Sequence, residues 1–365
     1  MRCRNADQIP DIEIIGKRGL GKTSTLIKIR SMATTDCVAV YVLGRRCTKI
    51  ELVDEVLQAV EREYRDLGMG SISFVDLATA LRRGEKFGVS VLIEAVSRLE
   101  GHTTIILLDD ADMVHYEALV ELKSAFSQLR SIHGMPACLV LASETPISEI
   151  LIRGGLSPSE SFLFSFKLKN FSLDEVASLL LRSYIKWTKS SVRHVYSRTK
   201  GHPAFVKMYA AAYYELAESD ERLKFAEMDT PKWKNPNEKS GWREWGEYLF
   251  YAGLEISKRI VFEQMSKEVV LSCDKPVKSA VFQWYANGWP QKPSKAEWNA
   301  VLAIMRLGGS ARFSDIKRAY GRNPAPQLKR ALMKRMIERR ERGVYSIPHP
   351  LITEALNDRY IPSKK

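Results

Sequence analysis

Ile12-Glu13-Ile14-Ile15-Gly16-Lys17-Arg18-Gly19-Leu20-Gly21-Lys22-Thr23 is an apolar run that breaks into glycines and ends on a lysine and a hydroxyl. Residues Gly16 to Thr23 satisfy G-x-x-x-x-G-K-[ST] at every fixed position, between an expected strand and an expected helix. Glycines let successive backbone N–H groups turn toward an anion, and the positive end of the following helix favours negative charge. The segment is a candidate cradle for nucleotide phosphates, formed by Gly16, Gly19, Leu20, Gly21, Lys22, Thr23 and Ser24. Lys22 is placed to reach the β and γ phosphates, and Thr23 to ligate Mg2+. A glycine-rich turn that binds nothing is the competing reading.

A phosphate cradle needs a carboxylate to hold its metal. Ile105-Ile106-Leu107-Leu108-Asp109-Asp110 supplies a buried strand ending in two. Asp109 is the candidate that orients the magnesium shell, and Asp110 the one that polarises an attacking water. An aspartate here could instead cap the next helix, a role that suits Asp112 better.

Outward from these motifs, the first half alternates apolar runs with helical patterns, as βα units around a parallel sheet do. Strands are expected at Ile12 to Ile15, Val38 to Leu43, Thr104 to Leu108, Ala137 to Ala142 and Phe162 to Leu168, with helices at Ile50 to Tyr64 and Val91 to Leu99. The expected fold is a doubly wound α/β core over residues 1–168. A small helical unit follows over 169–220, from Leu173 to Tyr184, Val192 to Arg198 and Pro203 to Leu216. Asp229 to Gly241 is polar and rich in breakers, so residues 221–294 read as a connecting region, helical in pattern from Trp242 to Lys292 and without a motif. Over 295–365 the order is helix (Lys295 to Leu307), Gly308-Gly309 break, helix (Ser314 to Tyr320), turn, helix (Pro326 to Arg335), then two strands within Met336 to Ile347 turning at Gly343. That order predicts a winged helix-turn-helix.

The chain has 365 residues, 45% of them hydrophobic, and a formal net charge of +13. This length suits two or three units, each burying its own core. No apolar run approaches the roughly 20 residues that span a bilayer, and the N-terminus lacks the pattern of a signal peptide, so a cytoplasmic protein without membrane contact is expected. Five scattered cysteines read as reduced thiols. Arg312 to Arg342 holds eleven basic residues against three acidic ones, a local excess of +8. Basic charge along a recognition helix and wing is the footprint of double-stranded DNA binding. Gln327, Lys329 and Arg330 are candidates for base edges; Lys334, Arg335, Arg339, Arg340 and Arg342 are candidates for phosphate. Winged helices also dock proteins, and charge runs are often only solvated faces.

The order of phosphate loop, acidic strand and a strand ending in Ala142-Ser143-Glu144-Thr145-Pro146 resembles the AAA+ superfamily and its STAND relatives, P-loop NTPases of the ASCE type. The resemblance implies ATP as the nucleotide and a sensor residue contacting the γ phosphate or the water, Ser143 or alternatively Thr145. It also implies an arginine reaching a neighbouring subunit's nucleotide. Arg153 falls at that place, against the competing reading of a solvated surface arginine, the state of most arginines. Thr199-Lys200-Gly201-His202-Pro203 resembles the G-x-P signature of STAND ATPases, which implies a lid helix bringing Pro203 against the nucleotide; a helix stop and start is the alternative. Tyr345 to Leu351 resembles the closing segment of archaeal ATPase winged helices, where His349 reads as structural. The implied function is an ATP-hydrolysing switch on DNA. Two alternatives stand beside it: a replication-initiator or loader ATPase that oligomerises on DNA, and a signalling scaffold whose winged helix binds protein.

Overall fold

The computed structural model describes residues 10–34, 36–44, 48–69, 71–99, 101–157, 163–181, 187–219, 268–287 and 292–360. They divide into two compact units, Met1–Lys169 and Asn170–Lys365.

The first unit is built on five parallel strands, β1 (Ile12–Ile15), β2 (Cys37–Leu43), β3 (Thr103–Asp109), β4 (Ala137–Ser143) and β5 (Phe164–Lys167), in the order β2-β3-β4-β1-β5. Helices α1 (Lys22–Ser31), α2 (Lys49–Asp66), α3 (Val75–Arg82), α4 (Gly88–Ser97), α5 (Tyr116–Ser131) and α6 (Ile147–Arg153) complete it. Parallel strands bury both faces, and alternate residues here enter two separate cores. Val40, Ile106, Leu108, Leu139 and Leu141 pack with α2, α3, α4 and α5, whereas Ile14, Ala39, Leu107, Val140 and Ala142 pack with Leu26 of α1. The expected parallel α/β sheet is the fold observed. Sequence periodicity missed α3, α5 and α6 and set the strand limits within about two residues.

Two buried carboxylates on the first strand's run fix its neighbours. Asp11 accepts both Arg130 guanidinium nitrogens at 2.8 Å and the Leu139 N–H at 2.8 Å, and is also paired with Lys123. Removing one partner of such a set leaves a buried charge, at a cost of roughly 3–5 kcal/mol. Glu13 accepts the Ile147 N–H at 2.9 Å and the Ser165 hydroxyl, tying β1 to α6 and β5. β1 is thereby held between β4 and β5, which sets where its C-terminal loop emerges.

The second unit contains α7 (Leu173–Leu181), α8 (Lys189–Thr199), α9 (Pro203–Ser219), α10 (Asp274–Asn287), α11 (Lys295–Arg306), α12 (Phe313–Tyr320), α13 (Ala325–Met333) and α14 (Pro350–Tyr360). Strands β6 (Ser310–Arg312), β7 (Glu338–Glu341) and β8 (Val344–Ser346) form an antiparallel sheet in the order β6-β8-β7. The sequence reading found neither β6 nor α14. It also separated the helices before residue 220 from the module after 295, yet Phe205, Tyr209, Val277, Val281, Ile304, Ile352 and Leu356 lie in one core. The breaker-rich segment 229–241, and most of the helical pattern expected for 242–292, lie outside the described residues.

Gly201 illustrates the packing. It sits at φ 72° between α8 and α9, and a Cβ there would come within 1.9 Å of the Phe171 carbonyl oxygen. Only glycine fits that backbone and that space. The Gly201-His202-Pro203 run therefore acts as a helix stop and start, with Pro203 as the first residue of α9. His349 is buried and structural as expected: the Leu351 N–H donates to Nδ1 at 3.1 Å, which leaves Nε2–H to donate to the Thr199 carbonyl at 3.0 Å. Burial lowers its pKa, favouring this neutral tautomer.

Candidate nucleotide site and basic surface

The loop leaving β1 is anchored at once, because the Gly16 N–H donates to the Ser143 carbonyl at 2.9 Å. Gly19 and Gly21 take φ 83° and 98°, left-handed values that carry the chain around a tight turn and into α1. Lys22 and Thr23 open that helix, with Leu20 and Ser24 on either side. Lys22 is only 7% exposed; its ammonium donates to the Gly16 carbonyl at 2.8 Å.

Across the sheet, β3 ends in Asp109, buried and fully engaged. Oδ2 accepts from Thr23 Oγ1 at 2.5 Å and from the Tyr41 hydroxyl at 3.0 Å, while Oδ1 accepts the Asp110 N–H at 3.0 Å. Burial, and then the Asp109 carboxylate, push the Tyr41 phenol well above its ordinary pKa, with Asp110 adding to the effect. Tyr41 thus stays a donor to Asp109 at neutral pH. A hydroxyl touching a carboxylate beside a glycine-turned loop at a helix N-terminus is a hard-oxygen donor set suited to magnesium beside phosphate. The residues fit the group they were expected to hold.

Other sequence candidates fall in different places. Ser143 closes β4, but its hydroxyl donates to the Thr145 carbonyl at 2.7 Å, the capped strand end. Asp112 supports the same turn, accepting the Glu144 N–H at 3.2 Å. Asp110 lies just past β3 at φ 47°. Arg153 ends α6 with its side chain 82% exposed, 3.8 Å from Glu149. Pro203 belongs to the second unit. Two residues of the site went unanticipated: Tyr41, hidden within an apolar strand, and Glu144, whose Oε1 lies 3.9 Å from Lys22 Nζ. Neither belongs to a fixed-spacing motif.

Residues 12–152 match the family described as an AAA domain. The match spans most of the first unit, from β1 to α6. Solved structures of similar fold extend over nearly the whole chain. The Walker-type ATPase PABY2304 of Pyrococcus abyssi is 14% identical with a TM-score of 0.56, covering 97% of this chain and 92% of that one. The ORC2 protein of Aeropyrum pernix in its ADP form is 13% identical with a TM-score of 0.51, covering 97% and 88%. Comparison with curated proteins gives no match. Among the described residues no helix is long and apolar enough to cross a membrane.

In the second unit, the basic residues are not equivalent. Lys329, Arg339, Arg340 and Arg342 are exposed, whereas Gln327 and Arg335 are half-buried. Arg330 and Lys334 bind a buried carboxylate: Arg330 Nε and Lys334 Nζ lie 2.9 and 2.7 Å from Glu297, which is 3% exposed. Burial works to raise the Glu297 pKa, but Lys334 and the Ser294 cap outweigh it and hold the carboxyl below its ordinary value. These two cations therefore brace α13 against α11.

Proposed function

We propose that the protein is an ATP-hydrolysing switch that grips double-stranded DNA through its C-terminal module, a winged helix formed by α11, α12, α13 and the β6-β8-β7 sheet. The contact between Thr23 and Asp109 carries the nucleotide half of this reading, because it joins the two motifs that a magnesium–ATP site requires. In it, the N–H groups from Gly19 to Ser24 cradle the phosphates, Lys22 neutralises the β and γ charges, and Thr23 and Asp109 hold Mg2+. The bound ion would screen the charge that develops on the transferred phosphoryl group. The ADP form of the A. pernix ORC2 protein, which shares the fold, supports a nucleotide as the ligand.

The DNA half rests on exposed charge in a suitable frame. Arg339, Arg340 and Arg342 lie on or beside the β7–β8 hairpin, which corresponds to a wing. The test is duplex binding by the intact chain across a salt series, with and without ATP and Mg2+. Affinity that falls steeply with salt and shifts with ATP supports the switch; indifference to DNA in every state rejects it in favour of a protein-docking role.

One observation favours a second reading. Arg153 faces solvent, as a residue acting on a neighbouring subunit's nucleotide must. ATP-dependent assembly that Arg153→Ala abolishes would support an oligomerising loader.

A further inference from the structure

Strand β4 lies between β3, which ends in Asp109, and β1, which runs into the phosphate loop. The chain leaving β4 is therefore delivered to the ground between the metal carboxylate and the phosphate cradle, where the γ phosphate and its attacking water belong. The first residue past β4 is Glu144, with its side chain 15% exposed and its carboxylate 3.9 Å from the Lys22 ammonium. Its backbone is fixed from both sides: the Glu144 N–H donates to Asp112 at 3.2 Å, and the preceding Ser143 carbonyl accepts the Gly16 N–H at 2.9 Å. The crossing that anchors the phosphate loop thus also sets where this carboxylate emerges.

The backbone leaving β3 is held on the opposite flank. Gly44, just past β2, donates its N–H to the Asp109 carbonyl at 2.6 Å. In the strand order, β2 lies on the far side of β3 from β4 and β1. Aspartate is also one methylene shorter than glutamate.

We propose, building on the ATPase reading above, that Glu144 is the catalytic carboxylate that orients and deprotonates the attacking water. The water oxygen bonds to the γ phosphorus as the bond from that phosphorus to the β,γ-bridging oxygen breaks, leaving its electron pair on ADP. The water proton passes to Glu144 and from there to the released inorganic phosphate, which regenerates the carboxylate. Asp110 is then an outlying neighbour of the metal carboxylate.

The full chain and its Glu144→Gln and Asp110→Asn variants test this through two readouts. One is equilibrium binding of a fluorescent ATP analogue with Mg2+; the other is ATP turnover, with identification of the nucleotide retained after rapid desalting. Glu144→Gln is expected to bind the analogue within about threefold of wild type. Its turnover falls on the order of 10²–10³-fold, it retains ATP rather than ADP, and it loses more than Asp110→Asn does. Turnover above about a tenth of wild type overturns the inference, as does tighter ATP binding at unchanged turnover, which would make Glu144 only an ion partner of Lys22. If Glu144→Gln does not fold, Glu144→Asp decides: the charge is kept but withdrawn by one methylene, so turnover drops if the proposal holds and stays level if it does not. A wild-type chain that binds no ATP analogue sinks the ATPase reading itself, an outcome distinct from a binding chain whose Glu144→Gln variant still turns over.

Discussion

The phosphate loop of the first unit and the basic hairpin of the second both gather positive charge, and they do so by opposite means. In the loop, backbone geometry does the gathering: two left-handed glycines turn the chain into the positive N-terminal end of α1, and the Lys22 ammonium is docked on the loop's own carbonyl. In the C-terminal module, charge is carried by long side chains, and the fold decides which of them remain available. Lys334, 18% exposed, and the half-exposed Arg330 are both paired with Glu297, whereas Arg339, Arg340 and Arg342 are exposed on the hairpin. A basic residue is thus a ligand candidate only after its internal partners are known.

The sharpest break of this comparison is Lys22→Ala, which is expected to weaken ATP binding by on the order of 10²-fold, about 3 kcal/mol by titration calorimetry, while leaving the melting temperature nearly unchanged. A loss of fold instead would make Lys22 a brace like Lys334. Gly201→Ala should act wholly on stability: the Cβ clash with the Phe171 carbonyl and the left-handed backbone together cost on the order of 3 kcal/mol in urea unfolding of the second unit. The two kinds of C-terminal cation separate next. Lys334→Ala is expected to cost about 2 kcal/mol of stability, read as a lowered urea midpoint, because Glu297 loses a charged hydrogen-bond donor. The triple change of Arg339, Arg340 and Arg342 to alanine should leave that midpoint alone and reduce the salt slope of duplex binding by about 3. If both variants lose DNA affinity equally, the division between bracing and available charge is wrong.

The smallest effect is a pH dependence confined to the second unit. His349 has a folded pKa below its ordinary value near 6.5, so between those two values the unfolded chain binds the proton more readily. Stability is complete above the unfolded value and declines as pH falls through it. Melting temperatures at pH 7.5 and 5.5 should differ less in His349→Gln than in wild type, whatever that variant's absolute stability.

What the sequence disclosed follows the same division. The phosphate-loop residues were readable as a fixed-spacing motif and Asp109 as the end of an apolar strand, and the fold brings Thr23 and Asp109 into contact. Tyr41 and Glu144 were not, because each reaches the site by strand order, which pairs residues far apart in the chain. Helix α5 escaped notice although it buries Leu119, Leu122, Phe126 and Leu129, since no cap residue or glycine marks its start. In the second unit, the glycine at 343 between two short runs revealed the β7–β8 hairpin, but the packing of α10 against both α9 and α14 has no local signature.

That packing bears on how such a chain changes over generations. Phe205 stacks edge-on against Trp284 and His349, with ring centres 5.3 and 4.7 Å apart, so three distant stretches of sequence share one aromatic contact. A change of volume at any of the three must be answered at the other two. The helix after Gly201 and the module carrying the basic hairpin are therefore inherited as a single piece. Exchange of the hairpin module alone between distant relatives should yield chimaeras that fail to fold, whereas exchange of the entire second unit should be tolerated.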